Sequence, residues 1–135
     1  MRNYIIILLF SPIIILAQEQ IEIKHLSKAI NSVGAELNFF QDEKAHAFFT
    51  SIRDDNDEYV SSIYSTHFQG GKWSEGSYFY PFNSDIMQSG NLCITKEKVA
   101  LFTFCKSDIC AIYRSNFKNK KWTTPNKLDD RINQK

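Results

Sequence analysis

An acidic run holds the side chains of this sequence that are best suited to binding a metal ion. Asp54, Asn56 and Glu58 alternate along Asp54-Asp55-Asn56-Asp57-Glu58 and supply the oxygen ligands that calcium prefers. The run lacks the glycine that a calcium loop uses for its sharp turn. We therefore predict the solvated tip of a surface loop, with a weak calcium site as the alternative.

Three cysteines could undergo oxidation in an exported protein. Cys105 and Cys110 flank a predicted hairpin turn, and a disulfide between them would close a small loop worth about 2 kcal/mol. The alternative is that all three thiols are reduced and partly buried. Cys93 is predicted to be a core residue in either case, because it aligns with Phe40 in the repeat described below.

The other polar residues show no catalytic pattern. His25, His46 and His67 lack the spacing of metal ligands. Motifs such as a nucleophile elbow, a phosphate loop or paired carboxylates are missing from the sequence. We therefore predict no catalytic residue, no cofactor and no enzymatic activity.

Charge and aromatic content limit the class of partner. The chain has 16 Lys and Arg against 15 Asp and Glu, whereas a nucleic-acid binder should show a basic stripe. We therefore expect no nucleic-acid partner. Trp73, Trp122 and Tyr78-Phe79-Tyr80 could stack on sugars, but the shared position of the two tryptophans in a repeat favours packing between sheets.

An internal repeat indicates the elements that position these residues. Ile63, Tyr64, Phe68, Lys72 and Trp73 recur 49 positions later as Ile112, Tyr113, Phe117, Lys121 and Trp122. Asn38, Ala47, Phe49 and Thr50 recur 53 positions later as Asn91, Ala100, Phe102 and Thr103. The change of offset places an insertion in a polar loop between Thr50 and Ile63. Repeats of this length are typical of propeller blades.

Each copy reads as short antiparallel strands. In the first copy these are Glu36 to Gln41, Ala45 to Ser51, Val60 to Phe68, and a fourth that carries Trp73 towards Tyr80. The second strand is apolar on both faces, with Phe48 and Phe49 in one copy and Leu101 and Phe102 in the other. Burial on both faces is expected for a four-stranded sheet between neighbouring blades. An ordinary β-sandwich is the alternative.

The amino terminus has the plan of a signal peptide. Arg2 precedes an apolar run from Tyr4 to Ala17, which is broken by Ser11-Pro12 and is shorter than a spanning helix. We predict a signal peptide over 1–17, with an uncleaved membrane anchor as the alternative. A connector over 18–34 and repeats over 35–84 and 85–135 follow. Cleavage would leave no transmembrane segment.

The repeat resembles the WD40-like β-propeller repeats of bacterial envelope proteins, including the Tol-system periplasmic propeller and propellers linked to OmpA-like domains. The matching segments of the first copy are Phe49-Thr50-Ser51-Ile52-Arg53, Ile63-Tyr64, Trp73-Ser74 and Pro81-Phe82-Asn83-Ser84. Those of the second are Phe102-Thr103, Ile112-Tyr113, Trp122-Thr123-Thr124-Pro125 and Leu128 with Ile132-Asn133. The chain departs from the pattern at Ser62 and Ala111, where the family has Asp, and at Gly76, where it has Pro.

The resemblance implies an all-β fold of two four-stranded antiparallel blades. It also implies a non-catalytic interaction or scaffold module, exported to the periplasm or associated with the outer membrane, with envelope proteins or further propeller repeats as partners. Two alternatives remain from other classes: the propeller part of a prolyl-oligopeptidase-type peptidase that lacks its catalytic domain, and a carbohydrate-binding propeller.

Two blades are fewer than a closed ring needs. The sequence is therefore expected to be a fragment of a longer propeller, with completion of the ring by oligomerisation as the alternative. Terminal blades should then expose an apolar face built from residues such as Phe48 or Leu101.

Overall fold

The computed structural model describes residues 25–42, 44–53 and 60–133. The signal peptide predicted over 1–17 and the calcium candidates Asp54, Asn56 and Glu58 lie outside these residues. The strands are β1 Glu36–Gln41, β2 His46–Ser51, β3 Ser62–Gln69, β4 Lys72–Trp73, β5 Ser77–Tyr78, β6 Gln88–Ile94, β7 Val99–Lys106, β8 Ile109–Lys118, β9 Lys121–Trp122 and β10 Asn126–Lys127, with a 3₁₀ turn at Tyr80–Phe82.

The strands form two antiparallel sheets with the same topology. Sheet 1 runs β1-β2-β3, and β4 and β5 both pair with β3 as two parts of one interrupted edge strand. Sheet 2 repeats this arrangement with β6-β7-β8 and the pair β9 and β10. The predicted all-β fold with two four-stranded antiparallel sheets is therefore confirmed.

Equivalent backbone conformations explain several identities of the repeat. Asn38 and Asn91 have φ of 54° and 55°, at a register shift in the first strand of each sheet. Asparagine tolerates this left-handed conformation better than most residues. The two-residue turn after the third strand is Gly70-Gly71 in sheet 1 and Asn119-Lys120 in sheet 2, again at positive φ, as a tight hairpin requires.

The main core lies between the two sheets. Phe48 of sheet 1 and Phe102 of sheet 2 face this core, and Phe82, which is fully buried, packs between the sheets against the Phe102 ring at 4.6 Å. Inter-sheet hydrogen bonds run from the Asn91 N–H to Thr50 Oγ1 (3.1 Å) and from Asn38 Nδ2 to the Leu92 carbonyl (3.3 Å).

Two expectations about burial are corrected by this packing. Phe48 was expected on an exposed face, but it is only 9% exposed because sheet 2 covers that side of sheet 1. Cys93 was expected in the core, but it is exposed, since it lies on the side of sheet 2 that no described element covers. Leu101, on the same side, is half-buried.

Among the described residues, no helix has the length and apolar character needed to cross a membrane.

Candidate functional site

A groove of about 620 Å³ opens between the two sheets, where the β1–β2 and β6–β7 turns lie next to each other. Its floor is apolar and mostly aromatic, formed by Phe40, Phe48, Ile94, Phe117 and Trp122. The floor residues come from both sheets, so the groove exists only because the sheets stack. An apolar depression with a few polar groups at its edge is the usual form of a ligand site.

The edge of the groove carries an excess of positive charge. Among the described residues, Lys44, Lys96 and Lys98 line it, together with one carboxylate, Asp42. The Lys98 ammonium lies 5.2 Å from the centre of the Phe117 ring, a cation–π contact that holds it above the floor. An anionic group with an apolar body would therefore be favoured here.

The acidic residue at the edge is largely used to close the β1–β2 turn. Asp42 Oδ1 accepts hydrogen bonds from the backbone N–H groups of Lys44 (2.8 Å) and His46 (3.0 Å). Its other oxygen lies 3.6 Å from His46 Nδ1. The carboxylate therefore stabilises the hairpin and offsets the lysine charge only in part.

Positive φ at equivalent residues gives the two turns the same shape. Ala45 and Lys98 have φ of 59° and 58°. Each residue directly precedes a strand, β2 or β7, and the second residue of that strand, Ala47 or Ala100, is buried. Each copy of the repeat therefore contributes a charged turn to the edge of the groove and apolar strand residues to its floor.

A serine–histidine contact next to the groove resembles part of a catalytic arrangement. Ser74 Oγ lies 2.9 Å from His67 Nδ1, and both residues line a smaller pocket of about 320 Å³. In sheet 2 the equivalent hydroxyl, Thr123 Oγ1, accepts from the Asn116 N–H (3.0 Å) without a histidine. Ser74 Oγ likewise accepts from the His67 N–H (3.2 Å), so the hydroxyl has a structural role in both sheets.

The predicted repeat residues occupy paired positions, but only some reach the groove. Trp122 pairs with Phe117 and lines the groove, with the two rings 5.2 Å apart. Trp73 pairs with Phe68 at the same ring distance of 5.2 Å, on the opposite side of sheet 1. Both tryptophans pack against protein aromatics. Tyr80, by contrast, is 81% exposed.

The other repeat residues build the frame around the groove. Phe49 is opposite Tyr64, and Phe102 is opposite Tyr113, in equivalent positions of the two sheets. Thr50 is opposite Ile63, and Thr103 is opposite Ile112. Gly76, where the second copy has Pro125, lies against Phe49, and a Cβ there would be 2.5 Å from the ring.

A polar cluster covers the side of sheet 1 that faces away from sheet 2. The Arg53 guanidinium lies over the rings of Phe49 (5.3 Å) and Tyr64 (4.9 Å), and Arg53 Nη2 donates to the Ile30 carbonyl at 2.6 Å. Glu36 Oε1 lies 4.0 Å from Arg53 Nε. This cluster covers one corner of that side, and Phe39, which stacks on Phe49 on the same side, is 40% exposed.

The carboxyl of Glu36 is ionised in this cluster. Burial, the largest single influence, acts to raise its pKa, but hydrogen bonds from Ser32 and Ser51 and the charge of Arg53 together hold the pKa below its ordinary value. Glu36 is therefore a charged structural group.

The structure joins Cys105 and Cys110 by a disulfide across the β7–β8 hairpin, with an S–S distance of 2.03 Å. Cys105 and Cys110 are paired residues on the two strands, so the bond closes the hairpin next to its turn. The disulfide-bonded end of this hairpin does not line the groove, whereas Phe117 at the other end of β8 does.

The groove lysines were not identified as site residues from the sequence. The available signal was that both copies place charged residues at the same turn, directly before a strand with two apolar faces. That pattern indicates a turn, but it does not show that the two turns meet. The stacking of the sheets brings them together.

Within the described ranges, no three or more His, Cys, Asp and Glu side chains form a group that could hold a metal ion. No family model, no curated protein and no solved structure matches this chain.

Proposed function

We propose that this chain is a non-catalytic binding module built from propeller-type blades and exported to the cell envelope. The observation that carries the proposal is the front-to-back stacking of the two sheets. The Phe102 side of sheet 2 packs on the Phe48 side of sheet 1, whereas the sheet-1 equivalent of Phe102 is Phe49, on the opposite side.

Front-to-back stacking distinguishes blades from a sandwich. In a sandwich of two repeats related by symmetry, equivalent faces meet, and the stack ends there. Here the faces that meet are non-equivalent, so the same contact can be repeated by a further sheet, as it is in a propeller. This geometry and the residues shared with WD40-like envelope propellers support the same class of protein.

The inter-sheet groove is the proposed binding site. Its aromatic floor and lysine edge suit a partner segment that combines acidic and apolar side chains. The proposed partner is accordingly an envelope protein that presents such a segment.

Site-specific photo-crosslinking in the native host tests the binding site. A photoreactive amino acid in place of Lys44, at the edge of the groove, should give a discrete crosslinked protein. The same amino acid in place of Lys106, an exposed residue at the other end of sheet 2, is the matched control. Adding Lys98→Glu should remove the Lys44 adduct. An adduct of equal yield at Lys106, or one that is insensitive to Lys98→Glu, would exclude the groove.

Export is tested by trapping thiols before the cells are broken. Alkylation in intact cells followed by fractionation should find the chain in the envelope fraction with Cys105 and Cys110 protected as the disulfide. A cytoplasmic chain with both thiols alkylated would contradict export.

A further inference from the structure

In each sheet, a short turn forms hydrogen bonds with the backbone of the third strand. In sheet 1, Asn83 Oδ1 accepts from the Ile63 N–H (2.8 Å) and Asn83 Nδ2 donates to the Ile63 carbonyl (2.7 Å). In sheet 2, Asn133 Oδ1 accepts from the Ile112 N–H (2.7 Å), and the Leu128 N–H donates to the Ile112 carbonyl (2.9 Å). We call residues 128–133 the C-terminal clasp.

Residues 26–31 have the same sequence pattern as the C-terminal clasp. They read Leu-Ser-Lys-Ala-Ile-Asn, against Leu-Asp-Asp-Arg-Ile-Asn over 128–133. Asn31 Nδ2 donates to the Leu26 carbonyl at 2.8 Å, as Asn133 Nδ2 donates to the Leu128 carbonyl at 2.8 Å. We call residues 26–31 the N-terminal clasp.

The backbones of the two clasps are also the same. The Ile30 and Asn31 N–H groups both donate to the Ser27 carbonyl, each at 3.0 Å. The Ile132 and Asn133 N–H groups donate to the Asp129 carbonyl at 2.9 and 3.1 Å. The side chains of Ser27 and Asp129 each accept from the N–H two residues later. The two segments therefore fold as one structural unit that occurs twice.

The N-terminal clasp differs because its asparagine is hydrogen-bonded to no described strand. Asn31 Oδ1 accepts no hydrogen bond from any described residue, whereas Asn83 Oδ1 and Asn133 Oδ1 each accept one from a third strand. The clasp is nevertheless firmly placed, because Ile30 is 1% exposed and its carbonyl accepts from Arg53 Nη2. A site that is already in its bound shape loses little entropy on binding.

We infer that the N-terminal clasp binds β8 of a second copy of this chain, in place of that copy's own C-terminal clasp. β8 fits because the same hydrogen-bonding unit already holds it at Ile112 within one copy. β3 is not accessible, because Ile63 is fully buried between the sheets. This inference rests on the proposed function, in which the two stacked sheets are propeller-type blades.

The burial of equivalent apolar residues along the stacked sheets supports this exchange of one clasp for the other. Asn31, Asn83 and Asn133 each follow an apolar residue, which is buried where a following sheet covers it: Ile30 is 1% and Phe82 0% exposed. Ile132, at the third such position, is 59% exposed. Of these three described segments the C-terminal clasp is therefore the least covered. Leu101 and Thr103 of sheet 2 repeat the positions that Phe48 and Thr50 of sheet 1 occupy beneath sheet 2.

The two clasps would compete for the same strand. The C-terminal clasp belongs to the same chain, which gives it an effective concentration on the order of millimolar. The wild-type protein should therefore be largely monomeric at micromolar concentration and associate as the concentration approaches millimolar. The contact is head-to-tail, so it would generate closed rings where the rotation between copies closes and open filaments where it does not.

Sedimentation of three variants, produced from the full-length gene, tests the exchange. Asn133→Ala weakens the C-terminal clasp and should strengthen self-association by roughly tenfold or more. The double variant Asn31→Ala/Asn133→Ala frees β8 equally but damages the N-terminal clasp, so it should remain monomeric. Asn83→Ala removes the equivalent bonds at the internal joint and should leave the oligomeric state unchanged.

Two results would overturn the inference. Association of the double variant as strong as that of Asn133→Ala would mean that exposed apolar surface causes it. A monomeric Asn133→Ala chain would mean that β8 of another copy does not bind. If Asn133→Ala does not fold, near-millimolar wild type decides instead, because Asn31→Ala should abolish its association and an unchanged association would reject the exchange. Groove crosslinking at Lys44 does not depend on Asn31, so it tests the proposed function separately.

Discussion

The two sheets share topology and register but differ at one corner of their first and second strands. In sheet 1 this corner holds a polar cluster in which Ser51 Oγ donates to Glu36 Oε1 at 3.0 Å. At the positions 53 residues later, sheet 2 has Phe104 and Ser89. Ser89 Oγ is buried and has no hydrogen-bond partner among the described residues. The same backbone thus supports a polar corner in one copy and an aromatic corner in the other.

The difference follows from what covers each corner. In sheet 1 the corner is covered by the Arg53 guanidinium, which lies 4.9 Å from the Tyr64 ring and donates to the Ile30 carbonyl. In sheet 2 the Phe104 ring takes the equivalent place, 5.0 Å from Tyr113, because sheet 1 supplies an apolar cover. Residues that are identical in the two copies therefore reflect the shared backbone conformation. Residues that differ reflect what packs against each sheet.

The largest effect is expected for Phe82, the apolar residue that precedes Asn83 between the two sheets. Phe82→Ala should destabilise the protein by about 3–5 kcal/mol, because it leaves a cavity beside Phe102 and Trp122. Urea unfolding followed by tryptophan fluorescence measures this free energy.

Ile132→Ala is the matched control, since Ile132 is 59% exposed, and it should change the free energy of unfolding by about 0.5 kcal/mol or less. Similar losses from the two substitutions would show that the stack continues beyond sheet 2 and would break the comparison between its two ends.

The disulfide gives the next largest effect, and it exists only in sheet 2. Replacing Cys105 and Cys110 with Ala should lower the free energy of unfolding by about 2 kcal/mol, as expected for a loop closed over five residues of separation. Thermal unfolding of the wild type with and without reductant should show the same loss. The Cys93→Ala chain, in which the disulfide is intact, is the control.

The polar corner of sheet 1 should make stability depend on acid pH. Glu36→Gln should cost about 1.5 kcal/mol at neutral pH, because it removes a charged acceptor from buried donors. The folded-state pKa of Glu36 lies below its ordinary value of 4.5, so its contribution is complete above that value and is lost as the pH falls through the lowered pKa.

Unfolding curves between neutral pH and about pH 3 measure this dependence. The wild-type and Glu36→Gln curves should converge at the acid end. A constant gap at all pH values would show that Gln fails for steric reasons and that ionisation of Glu36 contributes nothing.

The sequence predicted the sheets because their signals are local. Phe49 recurs 53 positions later and Tyr64 and Trp73 recur 49 positions later, and β1 begins and ends at the residues expected from the pattern, Glu36–Gln41. The start of β3 was predicted at Val60, and it lies at Ser62. Boundaries next to the inserted loop are less determined, because the polar residues there favour neither a strand nor a turn.

Contacts between distant segments could not be read from the pattern. Phe48 and Phe49 are equally apolar, so the sequence does not say which of them faces the other sheet. The segment 18–34 was interpreted as a connector, although 26–31 repeats the clasp, because one Leu-x-x-x-Ile-Asn match is short. The groove lysines come together only through stacking, which no local pattern records.

The smallest effect is expected at the position where the two sheets are most alike. Asn38 and Asn91 both adopt positive φ, at 54° and 55°, but their side chains bond different partners, the Leu92 carbonyl and Thr103 Oγ1, each at 3.3 Å. If the backbone conformation is the reason for the repeat, Ala at either site should cost about 0.5–1 kcal/mol, and Gly should restore most of it. Four single variants compared by urea unfolding test this, and a loss that Gly does not restore at Asn38 alone would assign that asparagine to the inter-sheet bond instead.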